Sequence, residues 1–242
     1  MVIIPNFTYS GSVQIIFIQK IDWNVKIAEI NLLKSLPIVK RNIKARKSAK
    51  SESHITISKQ YGREYFDGSR DYGYGGYVYD GRWQPVARDI VRHFNLKRGS
   101  RVLDVGCAKG FLVKDLCALG VDAYGLDVSE YAITNCEPEI ASRLRRGNAK
   151  HIPFLDSSFD AVLSINTIHN LQRDDCCIAL SELERVAPGC GFVQVDSYET
   201  PEQKKVFESW VLTALYHDYP KNWIKLFNEA GYTGDYYWTI LK

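Results

Sequence analysis

Between residues 101 and 196 the apolar positions switch repeatedly between two spacings. Short, nearly continuous apolar runs at 101–105, 122–127, 160–165 and 191–196 are the length of strands and read as strands covered on both faces. The intervening stretches 109–119, 129–136 and 174–186 carry apolar residues at helical spacing, and 142–146 leaves room for one more short strand. Strict alternation of strand and helix predicts an α/β fold: a doubly wound, mostly parallel sheet with helices on both faces. Ligands of such sheets bind outside the carboxyl ends of the strands.

The flanks are less regular. Val86, Ile90, Val91 and Phe94 predict a helix over 83–94, with Pro85 suited to its first turn. Helices are expected over 201–217 and 221–229, the second stopped by Gly231. Residues 1–60 read as an extension with a strand near 13–18 and a helix near 25–36 ended by Pro37. Residues 61–81 read as a loop rich in glycine and tyrosine.

The first strand runs into Asp104-x-Gly106-x-x-x-Gly110 and then a helix, so backbone N–H groups point at whatever lies above the sheet. The second strand ends in Asp127, an acceptor for a ribose diol. A dinucleotide fingerprint from Gly106 needs glycines at 108 and 111, where the chain has Ala108 and Phe111. No Lys-Ser/Thr pair follows, so a phosphate-binding P-loop is excluded as well. A nucleoside cofactor without a diphosphate is what remains.

Four blocks resemble the class I S-adenosylmethionine-dependent methyltransferases, specifically their type 11-like members: 102–110, Gly125-Leu126-Asp127-Val128-Ser129, 147–154, and 158–164. The resemblance implies a Rossmann-like fold over 61–242, S-adenosylmethionine as methyl donor, and a terminal antiparallel strand pair. With only residues 232–242 left for that hairpin, it is expected to be shortened or partly missing. It further implies that Gly106 and Gly110 admit the methionine portion, with Asp104 orienting the turn or meeting the ammonium. Cys107 and Ala108 would line the floor, Asp127 would take the ribose hydroxyls, and Val128 would pack on adenine. Asn148 and Ala149 would meet the adenine edge, and Ser164 would sit on the same sheet edge. The family commonly has aspartate where Asn148 stands; asparagine still accepts a hydrogen bond through its oxygen.

A sulfonium methyl is already activated, so positioning supplies much of the rate, and a base helps when the acceptor is a hydroxyl. His169, beyond the strand ending at Ser164-Ile165, is the candidate base, with Asp196, Ser197 and Tyr198 as competitors. The stretch 61–83 holds seven aromatic residues besides Trp83, together with Arg63, Arg70 and Arg82. It suits a lid over a cofactor or sugar ring whose arginines grip a phosphate or carboxylate, or else a segment packed on the sheet edge. Residues 201–229 would close the pocket from the other side as a helical cap.

Charge is uneven. Residues 1–60 carry 10 lysines and arginines against 3 acids, or +7, and the remainder 21 against 25, or −4. The acid-free run 34–50 suits either a solvated face or contact with nucleic acid or an anionic surface; its lack of aromatic residues counts against base stacking. The six cysteines show no C-x-x-C spacing, so a zinc site is not indicated and a reducing compartment is expected. No run approaches the roughly 18 apolar residues of a membrane span, which leaves the cytoplasm as the expected location. The expected activity is methyl transfer to an O or N nucleophile of a small or carrier-linked substrate, such as a sugar or sugar nucleotide. The alternatives are an RNA methyltransferase using the basic extension, and a regulator that binds the cofactor without turnover.

Overall fold

A computed structural model describes residues 27–37 and 43–241. The strand expected near 13–18 lies outside them. Among the described residues, four helices precede the sheet: α1 (Ile43–Ala49), α2 (Glu52–Ser58), α3 (Arg63–Asp67) and α4 (Gln84–His93). Then follow β1 (Arg101–Val105), α5 (Phe111–Ala118), β2 (Asp122–Asp127), α6 (Glu130–Thr134), β3 (Leu144–Arg146), β4 (Ala161–Ile165), α7 (Arg173–Val186) and β5 (Gly191–Ser197). The chain closes with α8 (Pro201–Trp210), α9 (Pro220–Ala230) and β6 (Asp235–Ile240).

The six strands form one sheet in the order β3-β2-β1-β4-β5-β6, and every pairing is parallel. Chain order reverses between β1 and β4, so a crevice opens above their carboxyl ends, where doubly wound sheets bind ligands. Strand alternation sorts the core into two layers. Leu103 and Val105 face a cluster with Leu180 and Leu183 of α7 and Trp223 and Phe227 of α9. Val102 faces the opposite cluster, with Val86 and Ile90 of α4 and Leu112 and Leu116 of α5. Helices on both faces explain why the strands read as continuous apolar runs.

The C-terminal expectation needs correction. No antiparallel pair closes the sheet among the described residues; β6 runs parallel to β5, from Phe192↔Asp235 to Ser197↔Ile240. Two helices separate the strands and carry the chain back to the starting end of the sheet, which dictates a parallel entry. Gly231, at φ 68°, caps α9 and releases the chain into β6.

The helix expected near 25–36 is also absent among the described residues 27–37. Instead, Tyr236 N–H donates to the Ala28 carbonyl at 3.1 Å and Ile30 N–H to the Tyr236 carbonyl at 2.8 Å. This short pairing covers the outer edge of β6, whose backbone groups would otherwise be unpaired. Leu32 enters the α4–α5 core layer.

The stretch 61–81 contains α3, and the helix expected over 201–217 stops at Trp210. Beyond it, the N–H groups of Leu215 and Tyr216 both donate to the His169 carbonyl, at 2.9 and 3.1 Å. Those bonds draw the chain to the sheet edge instead of along a helix axis. Among the described residues no helix is long and apolar enough to cross a membrane.

Candidate active site

The turn after β1 is built from residues that tolerate an unusual backbone. Gly106 has φ 85°, and a Cβ there would stand 1.9 Å from Thr167 Oγ1, so only glycine fits. Ala108 also takes a positive φ, 52°, and its N–H donates to Asp127 Oδ2 at 2.7 Å. Asp127 Oδ1 accepts the Ser129 N–H at 2.8 Å. Ser129 caps α6, with its Oγ accepting from Ala132 N–H at 3.0 Å. Asp127 therefore ties the turn to β2 and keeps further lone pairs for a ligand.

A cavity of about 420 Å³ lies over this turn. Of the residues expected to bind cofactor, Gly106, Ala108, Asp127, Val128, Asn148 and Ala149 line it. Val128 is 52% exposed, an apolar surface open to an aromatic ring. The Asn148 oxygen accepts the Lys150 N–H at 3.0 Å, which orients the amide so that its Nδ2 is the donor left for a ligand.

Four expected residues stand behind the wall. Asp104 and Cys107 are buried beneath the turn. Gly110 faces the core: a Cβ there would meet Ile140 and Leu144 at 2.8 Å, so its glycine serves close packing. Ser164 is fully buried in β4, and its Oγ has no hydrogen-bond partner.

The electrostatics favour a cation. Burial, reinforced by the charge of Asp127, raises the Asp104 carboxyl to about 7. Burial also raises Asp127, opposed by the N–H groups of Ser129, Ala108 and Val128. A positive group brought to the turn would relieve both acids.

The aromatic segment covers the turn. Phe66 is buried against Ala108 and Ala132, with Tyr61, Tyr65, Tyr77 and Tyr131 around it. Lys109 Nζ holds both oxygens of Asp67, at 2.9 and 2.7 Å, and Tyr131 Oη donates to the same carboxylate at 2.7 Å. Burial works against ionisation of Asp67, but the hydrogen bonds from Lys109, Tyr131 and the Tyr77 N–H outweigh it and hold the carboxyl below its usual range.

A second cavity, of about 280 Å³, shares Tyr65, Tyr74 and Asn166 with the first. His169 and Asp196 line it, and neither is on the wall of the first. His169 Nδ1 accepts the Asp196 N–H at 3.0 Å. Nδ1 is therefore unprotonated and the neutral ring carries its proton on Nε2. Burial lowers the pKa of His169, partly countered by Asp196, so the ring stays neutral near pH 7. In this arrangement His169 presents a hydrogen-bond donor at Nε2. The Asp196 carboxylate, 3.8 Å from Nδ1, is the acceptor at this edge.

Sequence reasoning missed Thr167, which meets Gly106, and Asn170, whose buried Oδ1 has no partner while the residue lines the first cavity. It also missed Arg46, Leu212 and Thr213 on the second cavity, which Trp210, at the end of the expected helical cap, lines as well. Asn166 and Thr167 follow β4 directly, and a strand end at the crevice is the signal that points to them.

Residues 103–195 match the family model described as a methyltransferase domain. The chain is 31% identical over 122 residues to an O-methyltransferase of Aspergillus nomiae, covering 47% of this chain and 53% of that protein. It is 31% identical over 135 residues to a demethylmenaquinone methyltransferase of Lactiplantibacillus plantarum, covering 51% of this chain and 55% of that protein. The chain therefore spans about half the length of these curated relatives. It is also similar, at 21% identity and a TM-score of 0.49, to a chain in the complex of the Haloferax volcanii Trm112 methyltransferase activator with a methyltransferase, covering 60% of this chain and 66% of that one. The matched residues 103–195 hold the turn and the strand ends that form this crevice, so the likeness to methyltransferase domains falls on the candidate site itself.

Proposed function

We propose that the protein transfers a methyl group from S-adenosylmethionine to an O or N nucleophile of a small or carrier-linked molecule. The observation that carries this reading is the pair of adjoining cavities: one over the glycine turn, the other holding His169 and Asp196, with Tyr65, Tyr74 and Asn166 as the common wall.

The first cavity fits the donor. Asp127 would accept the ribose hydroxyls, Val128 would lie against adenine, and Asn148 Nδ2 would meet the adenine edge. Asn170 Oδ1, buried and unpartnered, would accept a hydrogen bond from the donor's polar tail. Asp104 beneath the turn favours the donor's positive charge. When bound, the donor supplies a sulfonium methyl that leaves with the sulfur keeping the electron pair.

The protein's own residues do the rest. Tyr65 and Tyr74 exclude water between the two cavities. The Nε2–H of His169 donates to the acceptor and orients it. The Asp196 carboxylate takes the proton from the attacking oxygen or nitrogen, which leaves the methylated atom uncharged. A sugar or sugar nucleotide fits the aromatic lining of the second cavity.

The test is turnover with methyl-labelled S-adenosylmethionine over metabolite and RNA pools. Label entering a small or carrier-linked product supports the reading. Label entering RNA alone shifts the acceptor class, and donor binding without any labelled product leaves a regulator.

A further inference from the structure

The second cavity has a charge pattern that methyl transfer itself does not require. Its floor, from the sheet, carries Asp196 and His169. Its cover comes from three other segments: Arg46 on α1, Arg70 and Arg82 on the aromatic lid, and 210–213 at the end of α8 and just beyond.

The three arginines differ. Arg82 is satisfied by its neighbour Asp80, whose carboxylate accepts from Arg82 Nε at 2.8 Å and Nη2 at 2.6 Å. Arg46 and Arg70 have no ion-pair partner among the described residues, the nearby Asp71 included. Each is instead held by a backbone carbonyl: Arg46 Nη2 donates to the Arg70 carbonyl at 2.6 Å, and Arg70 Nη1 to the Tyr74 carbonyl. The Arg46 guanidinium also stacks 5.1 Å from the Trp210 ring centroid. Burial and the charge of Arg70 both disfavour the Arg46 cation, with Asp71 opposing. Two like charges, the half-buried Arg46 and the exposed Arg70, are thus fixed on one cavity wall with N–H donors to spare, an arrangement suited to an anion.

We infer that the methyl acceptor carries an anionic group, a phosphate ester or a carboxylate, which Arg46 and Arg70 clamp against the face of Trp210 while its nucleophile lies toward Asp196. The inference rests on the proposed function for the role of this cavity. It assigns the basic α1 a place in the acceptor site: α1 packs on α8, and Lys50 Nζ donates to the Glu208 carbonyl at 2.7 Å.

The experiment is calorimetry on the full chain saturated with S-adenosylhomocysteine, using inorganic phosphate in one series and acetate in another. The wild type is expected to bind one of them. Arg46→Gln and Arg70→Gln should each weaken that anion about tenfold, the loss expected for a charge-assisted hydrogen bond. Arg46→Lys should fall between. Arg98→Gln, on an exposed side chain outside both cavities, should match the wild type. Preference for phosphate identifies a phosphate ester, and preference for acetate a carboxylate. Equal affinity in wild type and Arg46→Gln/Arg70→Gln, or no binding of either anion, overturns the inference. Affinity for S-adenosylhomocysteine is read in the same titrations, so a failed donor site is seen separately from a failed anion clamp, and its retention shows that the variants are folded.

Discussion

The Asp196 N–H donates to Nδ1 of His169 across 3.0 Å, and this bond separates the roles of the two side chains. An imidazole that accepts at Nδ1 keeps its own proton on Nε2 and cannot also take one there. Asp196→Asn is therefore expected to lower kcat by about 10²–10⁴, the range of a general base, with donor affinity unchanged. His169→Gln, which keeps a donor, should cost about tenfold or less. Steady-state kinetics on both variants decides; the reverse ranking returns the base to His169.

Lys109 and Asp67 fasten the aromatic lid to the glycine turn. Lys109 is almost fully buried, so removing its partner leaves a cation without compensation. Asp67→Asn is expected to destabilise by about 1–3 kcal/mol. It should also speed proteolysis within 68–81 and weaken donor binding. Unchanged proteolysis would show that the lid is held by its aromatic contacts alone.

Asp104 makes stability depend on pH in an unusual direction. Its folded pKa, about 7, lies above the ordinary carboxylate value of 3.8. Between these values the folded state keeps a proton that the unfolded chain has lost, so stability falls as pH rises. The slope from this group is up to about 1.4 kcal/mol per pH unit. Asp104→Asn should remove that slope and raise the relative stability above pH 7. Thermal unfolding at pH 5, 6, 7 and 8 measures it; parallel curves for both proteins would contradict the assignment.

Gly106→Ala is expected to fail on two counts, a strained positive φ and a collision with Thr167. The double variant Gly106→Ala/Thr167→Gly, which also removes the Thr167 Cβ that would stand 2.6 Å from the new methyl, should recover the steric part and leave about 1 kcal/mol of backbone strain. Chemical denaturation of the two variants separates the terms. A single variant as stable as the wild type would mean that the turn relaxes freely.

Much of the sheet was legible because its signals are local. The β1–turn–α5 segment and the acid ending β2 depend on residues within one strand–helix unit, and they fall where the spacing predicts. Non-local contacts were not legible. The stretch 27–37 pairs with β6, roughly two hundred residues away, and α8 stops where later backbone is drawn to His169. The tautomer of His169 depends on an N–H on the neighbouring strand. Among the three arginines of the second cavity, Arg82 has a sequence neighbour, Asp80, that explains its pairing. Arg46 reached the second cavity through contacts between α1 and α8 that composition does not encode.

The most direct measurement is calorimetric titration of S-adenosylhomocysteine into the wild type and Asp127→Ala. One-to-one binding by the wild type is expected. The variant should bind at least about tenfold more weakly, because two ribose hydrogen bonds to a charged acceptor are lost. Asp127→Asn, which retains an acceptor for the turn N–H groups, should lie between them and confirm that the fold persists. No binding by the wild type, or equal affinity in wild type and Asp127→Ala, would contradict a donor site over the glycine turn.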